Sequence, residues 1–138
     1  VELNPQNSMA NWSLGHTLYL GGRAEEAIPW IEKALDINPL DPRNYVVKTH
    51  LAVAKLCVGD YEAAAELGRA SARQRPDYTE SHITLAAALG YLGRVDEARQ
   101  AVGEYYDQAE DYAKNHFSWD RELKDCFLTG LQKAQLIE

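Results

Sequence analysis

Apolar residues recur along this chain at helical rather than strand spacing. Trp12, Leu14, Leu18 and Tyr19 share one face ahead of Gly22, and Ala27, Ile31, Ala34 and Leu35 share one after it. The pattern predicts two helices joined by a tight turn at the glycine. Glycine supplies the left-handed residue that ends the first helix, and Arg23-Ala24-Glu25-Glu26 sets carboxylates at the positive end of the second.

The pattern then repeats. Leu14-Gly15, Leu51-Ala52 and Leu85-Ala86 are each followed, eight residues after the Leu, by Gly22, Gly59 and Gly93. Five residues beyond each glycine stands Ala27, Ala64 or Ala98, and twelve beyond the first two alanines come Pro39 and Pro76. The glycine-to-glycine steps are 37 and 34 residues. Leu3-Asn4-Pro5 matches Ile37-Asn38-Pro39 at a distance of 34, so the chain is expected to open on the last turn of an earlier unit. Asp77-Tyr78 recurs as Asp111-Tyr112, but Trp119 and Phe127 then replace the expected Leu and Gly. The division is residues 1–5 as the end of a preceding repeat, 6–39, 40–76 and 77–110 as three repeats, and 111–138 as a degenerate repeat with a capping helix.

The small residues have a steric role. Where the helices of a pair cross, Gly15, Ala52 or Ala86 on the first lets Ala27, Ala64 or Ala98 on the second come close. Asp41-Pro42 reads as an N-cap followed by a first-turn proline, and Asp77 with Glu80 has capping-box spacing. Pro29 falls inside the second helix of the first unit and is expected to bend it mildly. From Ser118 onward one more helix is predicted, with Leu123, Phe127 and Leu131 on a single stripe. That helix is expected to cover the third unit as a lid, because a stacked array otherwise ends on an apolar side.

Composition narrows the class. The 138 residues are 46% hydrophobic and 25% charged, a profile too apolar for a disordered tail and too poor in Gly, Pro and Cys for a collagen-like rod or a disulfide scaffold. No apolar stretch approaches the roughly 20 residues that span a bilayer. The net charge of -7 repels polyphosphate, and only Arg69, Arg73 and Arg75 cluster, so direct nucleic-acid binding is not expected. Cys57 and Cys126 lie far apart in apolar surroundings, which fits reduced, buried thiols in a cytoplasmic protein and no disulfide. The chain starts at Val1 with no signal-like opening and is expected to be part of something longer.

The period of 34 with its Leu, Gly, Ala and Pro positions resembles the tetratricopeptide repeat over about residues 1–110. The resemblance implies an all-α, right-handed superhelical solenoid. Unit two departs from the family pattern with Lys48 and Lys55 at usually apolar positions and with Gly68 and Ser71 in its second helix, changes expected to loosen packing locally. Phrases such as Gly22-Arg23-Ala24-Glu25-Glu26-Ala27-Ile28-Pro29 also resemble the C-terminal repeat region of bacterial multidomain signalling proteins. In those proteins an adenylate or guanylate cyclase or a winged-helix domain precedes the repeats.

Function in such arrays lies on the concave surface lined by the first helix of each pair. By position the resemblance assigns to it Trp12, Ser13, His16 and Tyr19, then Val46, Thr49, His50 and Val53, then Glu80, Ile83, Thr84, Ala87 and Tyr91. Exposed Trp and Tyr anchor peptides well, since they bury much area for little rotamer entropy. A clamp for a terminal carboxylate is not expected, because its Lys, Arg and Asn places hold Trp12, His16, His50, Glu80 and Thr84.

Catalysis finds little support in the residues. His50 and Cys57 stand seven apart, about two helical turns, too far to share a proton. His16, His50, His82 and His116 lack metal-ligand spacing, and Gly21-Gly22 lacks the Lys-Ser or Lys-Thr of a phosphate loop. Glu104, Asp107, Glu110 and Asp111 read as a solvated helix face. The expectation is a non-enzymatic, cofactor-free cytoplasmic module that binds another protein or the upstream domains of its own parent chain. Two alternatives stand beside it: a small-molecule sensor around Trp12, His16, His50 and Tyr91, and self-association into a homo-oligomer.

Overall fold

Two glycines with positive φ turn the chain between the helices of a pair. Gly59 (φ 88°) and Gly93 (φ 76°) adopt the left-handed conformation expected of them, and neither has an atom within reach of an added Cβ. The helix ahead of each closes on a wide turn, with the Asp60 N–H on the Lys55 carbonyl and the Arg94 N–H on the Leu89 carbonyl, both at 2.9 Å. The computed structural model describes residues 23–115 and 121–137. Within them run α1 (Ala24–Ile37), α2 (Asn44–Cys57), α3 (Tyr61–Gln74), α4 (Thr79–Tyr91) and α5 (Val95–Val102), then a 3-10 turn (Gly103–Tyr105), α6 (Tyr106–Asn115) and α7 (Arg121–Lys133). The first helix expected in unit one, with its Trp12, Leu14, Leu18 and Tyr19 face, lies outside the described residues.

Helix starts follow local hydrogen bonding more than the expected caps. Asp60 caps α3, accepting from the Ala63 N–H at 3.3 Å. Asp41 does not cap α2, which begins three residues later; its carboxylate accepts instead from the Arg43 backbone N–H at 2.8 Å and pairs with the Arg43 guanidinium at 2.9 Å. That guanidinium holds the Asp41 carboxyl below its usual range. The capping box expected from Asp77 and Glu80 does not form either. Arg75 Nε donates to Asp77 at 2.6 Å, and the Tyr78 hydroxyl donates to Glu80 at 2.7 Å, so both carboxylates are engaged elsewhere. Through Pro29, α1 continues unbroken.

The helices stack in chain order: α1 on α2, α2 on α3, α3 on α4, α4 on α5. Ala27, Ala52, Ala64, Ala86 and Ala98, the small residues read as crossing points, are all fully buried. Two departures of unit two, Gly68 and Ser71, fit close packing rather than loosen it. A Cβ on Gly68 would lie 3.1 Å from the Leu85 Cβ, so the missing side chain lets α3 and α4 close together. The Ser71 hydroxyl is buried between α2 and α3, donating to the Tyr45 carbonyl at 2.7 Å and lying 2.8 Å from the Thr49 hydroxyl. Lys48 and Lys55 carry their charged heads outward, the first to Gln74 at 3.1 Å, the second between Glu32 and Asp60 at 3.9 Å from each.

The third pair ends early. Gly103 (φ 46°, ψ -121°) breaks the helix after Val102, and α6 then runs through Asp111 and Tyr112, where a fourth repeat was expected to start. After it, α7 packs on α4 and touches α2 as well. Phe127 and Leu131 of its apolar stripe are fully buried in the common core. The expected cap Ser118 lies outside the described residues. Two glycines set the α4–α7 crossing: a Cβ on Gly90 would run into the Gly130 carbonyl oxygen, and one on Gly130 would lie 2.8 Å from the Ala87 carbonyl oxygen. The result is an all-α solenoid with a C-terminal capping helix. Among the described residues no helix is long and apolar enough to cross a membrane.

Two substitutions test these crossings. Ala64→Leu should cost about 1–3 kcal/mol by overpacking α3 against its neighbours, read from denaturant midpoints. Gly90→Ala should cost roughly 3 kcal/mol, because its added methyl meets backbone rather than a yielding side chain, and the same titration should show it.

Candidate functional site

Which helices touch sets the two sides of the stack. Among the described helices, the first members of the pairs pack on one another, α2 on α4, and α4 in turn holds α7. The second members, α1, α3 and α5, meet one another only marginally. The stack thus has two unlike sides, one carrying α2 and α4 and the other α3 and α5. Near the C-terminal end, α7 lies on α4.

The described candidates divide by burial. Thr49, Val53, Ile83, Thr84 and Ala87 are buried. The Thr84 hydroxyl donates to the Glu80 carbonyl at 2.7 Å and the Thr49 hydroxyl to the Tyr45 carbonyl at 2.9 Å, so both are satisfied within their own helices. Ala87 sits beneath Gly130 of α7. His50 is only 7% exposed, while Val46, Glu80 and Tyr91 are half-buried. Glu80 is held in place by the Tyr78 hydroxyl. Trp12, Ser13, His16 and Tyr19 lie outside the described residues.

Tyr91 belongs to a cluster that sequence reasoning did not assemble. Its ring stacks on Tyr61 with centroids 4.2 Å apart and planes within 3°. The hydroxyl donates to the Cys126 carbonyl at 2.7 Å and lies 3.9 Å from the Cys126 sulfur. Burial, then the neighbouring Cys126, pushes the phenol well above its usual range. The neighbouring Cys57 thiol, with the Tyr91 hydroxyl, holds the Cys126 thiol below its usual pKa against the opposing effect of burial. Both cysteines are half-buried thiols, packed against the core rather than sealed in it as expected. Residues 57, 61, 91 and 126 come from four helix segments, and no spacing in the chain marks them as neighbours.

Two other groupings emerge from the fold. Tyr45 and Tyr78 meet edge to face at 5.0 Å, with the Arg75 guanidinium 5.4 Å above the Tyr45 ring. His82 places its ring nitrogens 2.6 Å from the Pro76 carbonyl oxygen and 3.2 Å from that of Ala101, and stacks on Tyr105, tying the start of α4 to the end of α5. An open cleft of about 450 Å³ lies between α6 and the tail, lined by Tyr106, Asp107, Glu110, Gln135, Leu136 and Ile137. Two of the four acids read as a solvated face thus border a cleft. Of the histidines weighed for metal binding, His16 and His116 fall outside the described residues, and no group of three or more metal-ligating side chains converges among the described ones.

Paired helices turned by glycine, crossing at buried alanines and stacked in register define a helical-repeat domain. Two family models described as tetratricopeptide repeat match the chain, one at residues 1–42 and one at residues 79–104, the latter covering α4 and α5. With the all-helical stack, these matches support a tetratricopeptide repeat domain, a class of fold that generally mediates protein–protein interaction.

Removing the Tyr91 hydroxyl tests the link between α4 and α7. Tyr91→Phe keeps the ring stacked on Tyr61 and should cost about 1 kcal/mol in chemical denaturation, the net worth of one hydrogen bond.

Proposed function

We propose that this domain is a non-catalytic docking module that holds a segment of another protein, or of its own parent chain, against its concave face. The observation that supports this reading is an asymmetry of packing: α2 and α4 pack on each other while α1, α3 and α5 barely meet, an arrangement that favours a stack curved toward the first helices of the pairs. The family matches support the same function class. The repeat pattern alone carries Trp12, Ser13, His16 and Tyr19 into the proposed contact set, to which the half-buried Val46 and Glu80 are added, while the largely buried His50 contributes through packing. Thr49, Val53, Ile83, Thr84, Ala87 and Tyr91 lie behind or beside it and shape it through packing. In this reading the partner engages the N-terminal part of the groove, since α7 already covers Ala87 and Gly90.

The resemblance of the repeat phrases to the C-terminal regions of bacterial cyclase and winged-helix regulators supports a role as the docking part of a larger cytoplasmic signalling protein. The segment held would then be a partner in trans or an upstream effector domain in cis. No chemistry is assigned to the module itself.

A pull-down from lysate tests the reading, using the wild-type domain, a triple variant Trp12→Ala, His16→Ala and Glu80→Ala, and an outer-face control Glu66→Ala with Arg73→Ala on α3, two exposed positions. His50 is left intact because its burial ties it to folding. A protein captured by wild type and control, and at least tenfold less by the triple variant, is the expected result. Equal capture by all three, or loss in the outer-face control alone, would overturn it.

A further inference from the structure

The open cleft beside α6 belongs neither to the repeat packing nor to the proposed groove, since none of its lining residues lies on α2 or α4. One wall follows from the break at Gly103, which leads the chain into α6, where Tyr106, Asp107 and Glu110 share a helical face. The other wall is the turn after α7. There the chain bends back at Gln135 (φ 61°), with the Gln135 N–H on the Gln132 carbonyl and the Leu136 N–H on the Leu131 carbonyl, both at 3.0 Å. Leu136 is thereby seated in the core, and Ile137 packs against that core. The cleft is therefore held open by ordered backbone on both sides, and its volume of about 450 Å³ suits a small ligand or a few side chains.

Its lining joins apolar surface to charge of one sign. Tyr106 is half exposed and presents its ring, Leu136 and Ile137 are apolar, Asp107 and Glu110 bring two carboxylates, and none of the six lining residues is basic. Glu110 pairs with Lys114 one turn further on, with both side chains about half exposed. An exposed pair of this kind is worth at most about 1 kcal/mol, so a better-matched cation can take its place. Arginine matches every part of the lining. Its planar guanidinium donates in a fork to carboxylates, its face stacks on an aromatic ring, and its methylene stem lies along apolar surface. Lysine offers neither the fork nor the flat face, an anion meets the two carboxylates, and a purely apolar segment would desolvate them unpaired.

We propose that this cleft is a second docking site, independent of the groove, for an arginine-bearing segment of a partner protein. The arginine enters between Tyr106 and the two carboxylates, and an apolar neighbour in the segment rests on Leu136 and Ile137. Because the cleft is open along its length, the backbone of the segment stays outside while its side chains enter. The chain's net charge of -7 favours the approach of a basic partner at low salt.

The probe is a fluorescein-labelled pentapeptide, Gly-Leu-Arg-Leu-Gly, titrated with the full chain and followed by anisotropy at low salt. Binding should weaken at least about tenfold when citrulline, the uncharged isostere, replaces the arginine, and by the same factor in the double variant Asp107→Asn with Glu110→Gln. Tyr106→Ala should weaken it roughly threefold. The control Glu62→Gln with Glu66→Gln, which removes the same charge from exposed positions on α3, should change it less than about twofold. Equal binding of the citrulline peptide, equal loss in the α3 control, or no binding at millimolar peptide would overturn the proposal. So would free arginine binding as tightly as the peptide, or a doubled mass abolished by the Asp107 and Glu110 substitutions, which would give the cleft to a second copy. The citrulline comparison alters only the probe and decides even if a variant fails to fold.

Discussion

Close approach of helices at positions with little or no side chain governs this structure. Gly90 and Gly130 make the point most sharply, because the carbonyl oxygen of one occupies the space where the other's Cβ would stand. Gly68 does the same for α3 against Leu85, and the fully buried alanines on α1 to α5 do it for each pair. Dispersion between backbones and short side chains then replaces the large aliphatic core of a compact bundle, and each contact is sensitive to a single added methyl. Larger residues, such as Phe127, Leu131, Ile83 and Leu89, fill the gaps between these crossings.

The same geometry gives the stack two unlike sides. Packing of α4 against both α2 and α7, with looser relations among α1, α3 and α5, distinguishes one side of the stack from the other. Polar groups that face neighbouring helices are satisfied locally, as Thr49 and Ser71 are on the Tyr45 carbonyl, so the interior is held in one register. By packing on α4, the capping helix α7 covers Ala87 and Gly90.

Much of the fold was legible in the sequence, because repetition amplifies weak local signals. The turns at Gly59 and Gly93, the buried alanines and the stripe of α7 through Phe127 and Leu131 all stand where the pattern put them. Caps were less legible: Asp41 and Asp77 had arginines two residues away, and a bidentate or short ion pair competes with a backbone N–H for the same carboxylate. The break at Gly103 was missed because a glycine among helix formers carries no sign of its own conformation until the tertiary stack fixes it. For the candidate surface, position within a repeat told which helix a residue lies on but not its depth, so Thr84 and Ala87 proved interior. The Cys57, Tyr61, Tyr91 and Cys126 cluster is a product of α7 folding back, a contact with no local signature.

The central claim is that partner binding falls on the side lined by the first helices of the pairs. Hydrogen–deuterium exchange of the domain with and without its captured partner addresses it most directly. The account predicts added protection on α2 and on the first turns of α4, with α3 and α5 unchanged. Protection confined to α3 and α5 would contradict it and place the partner on the convex side.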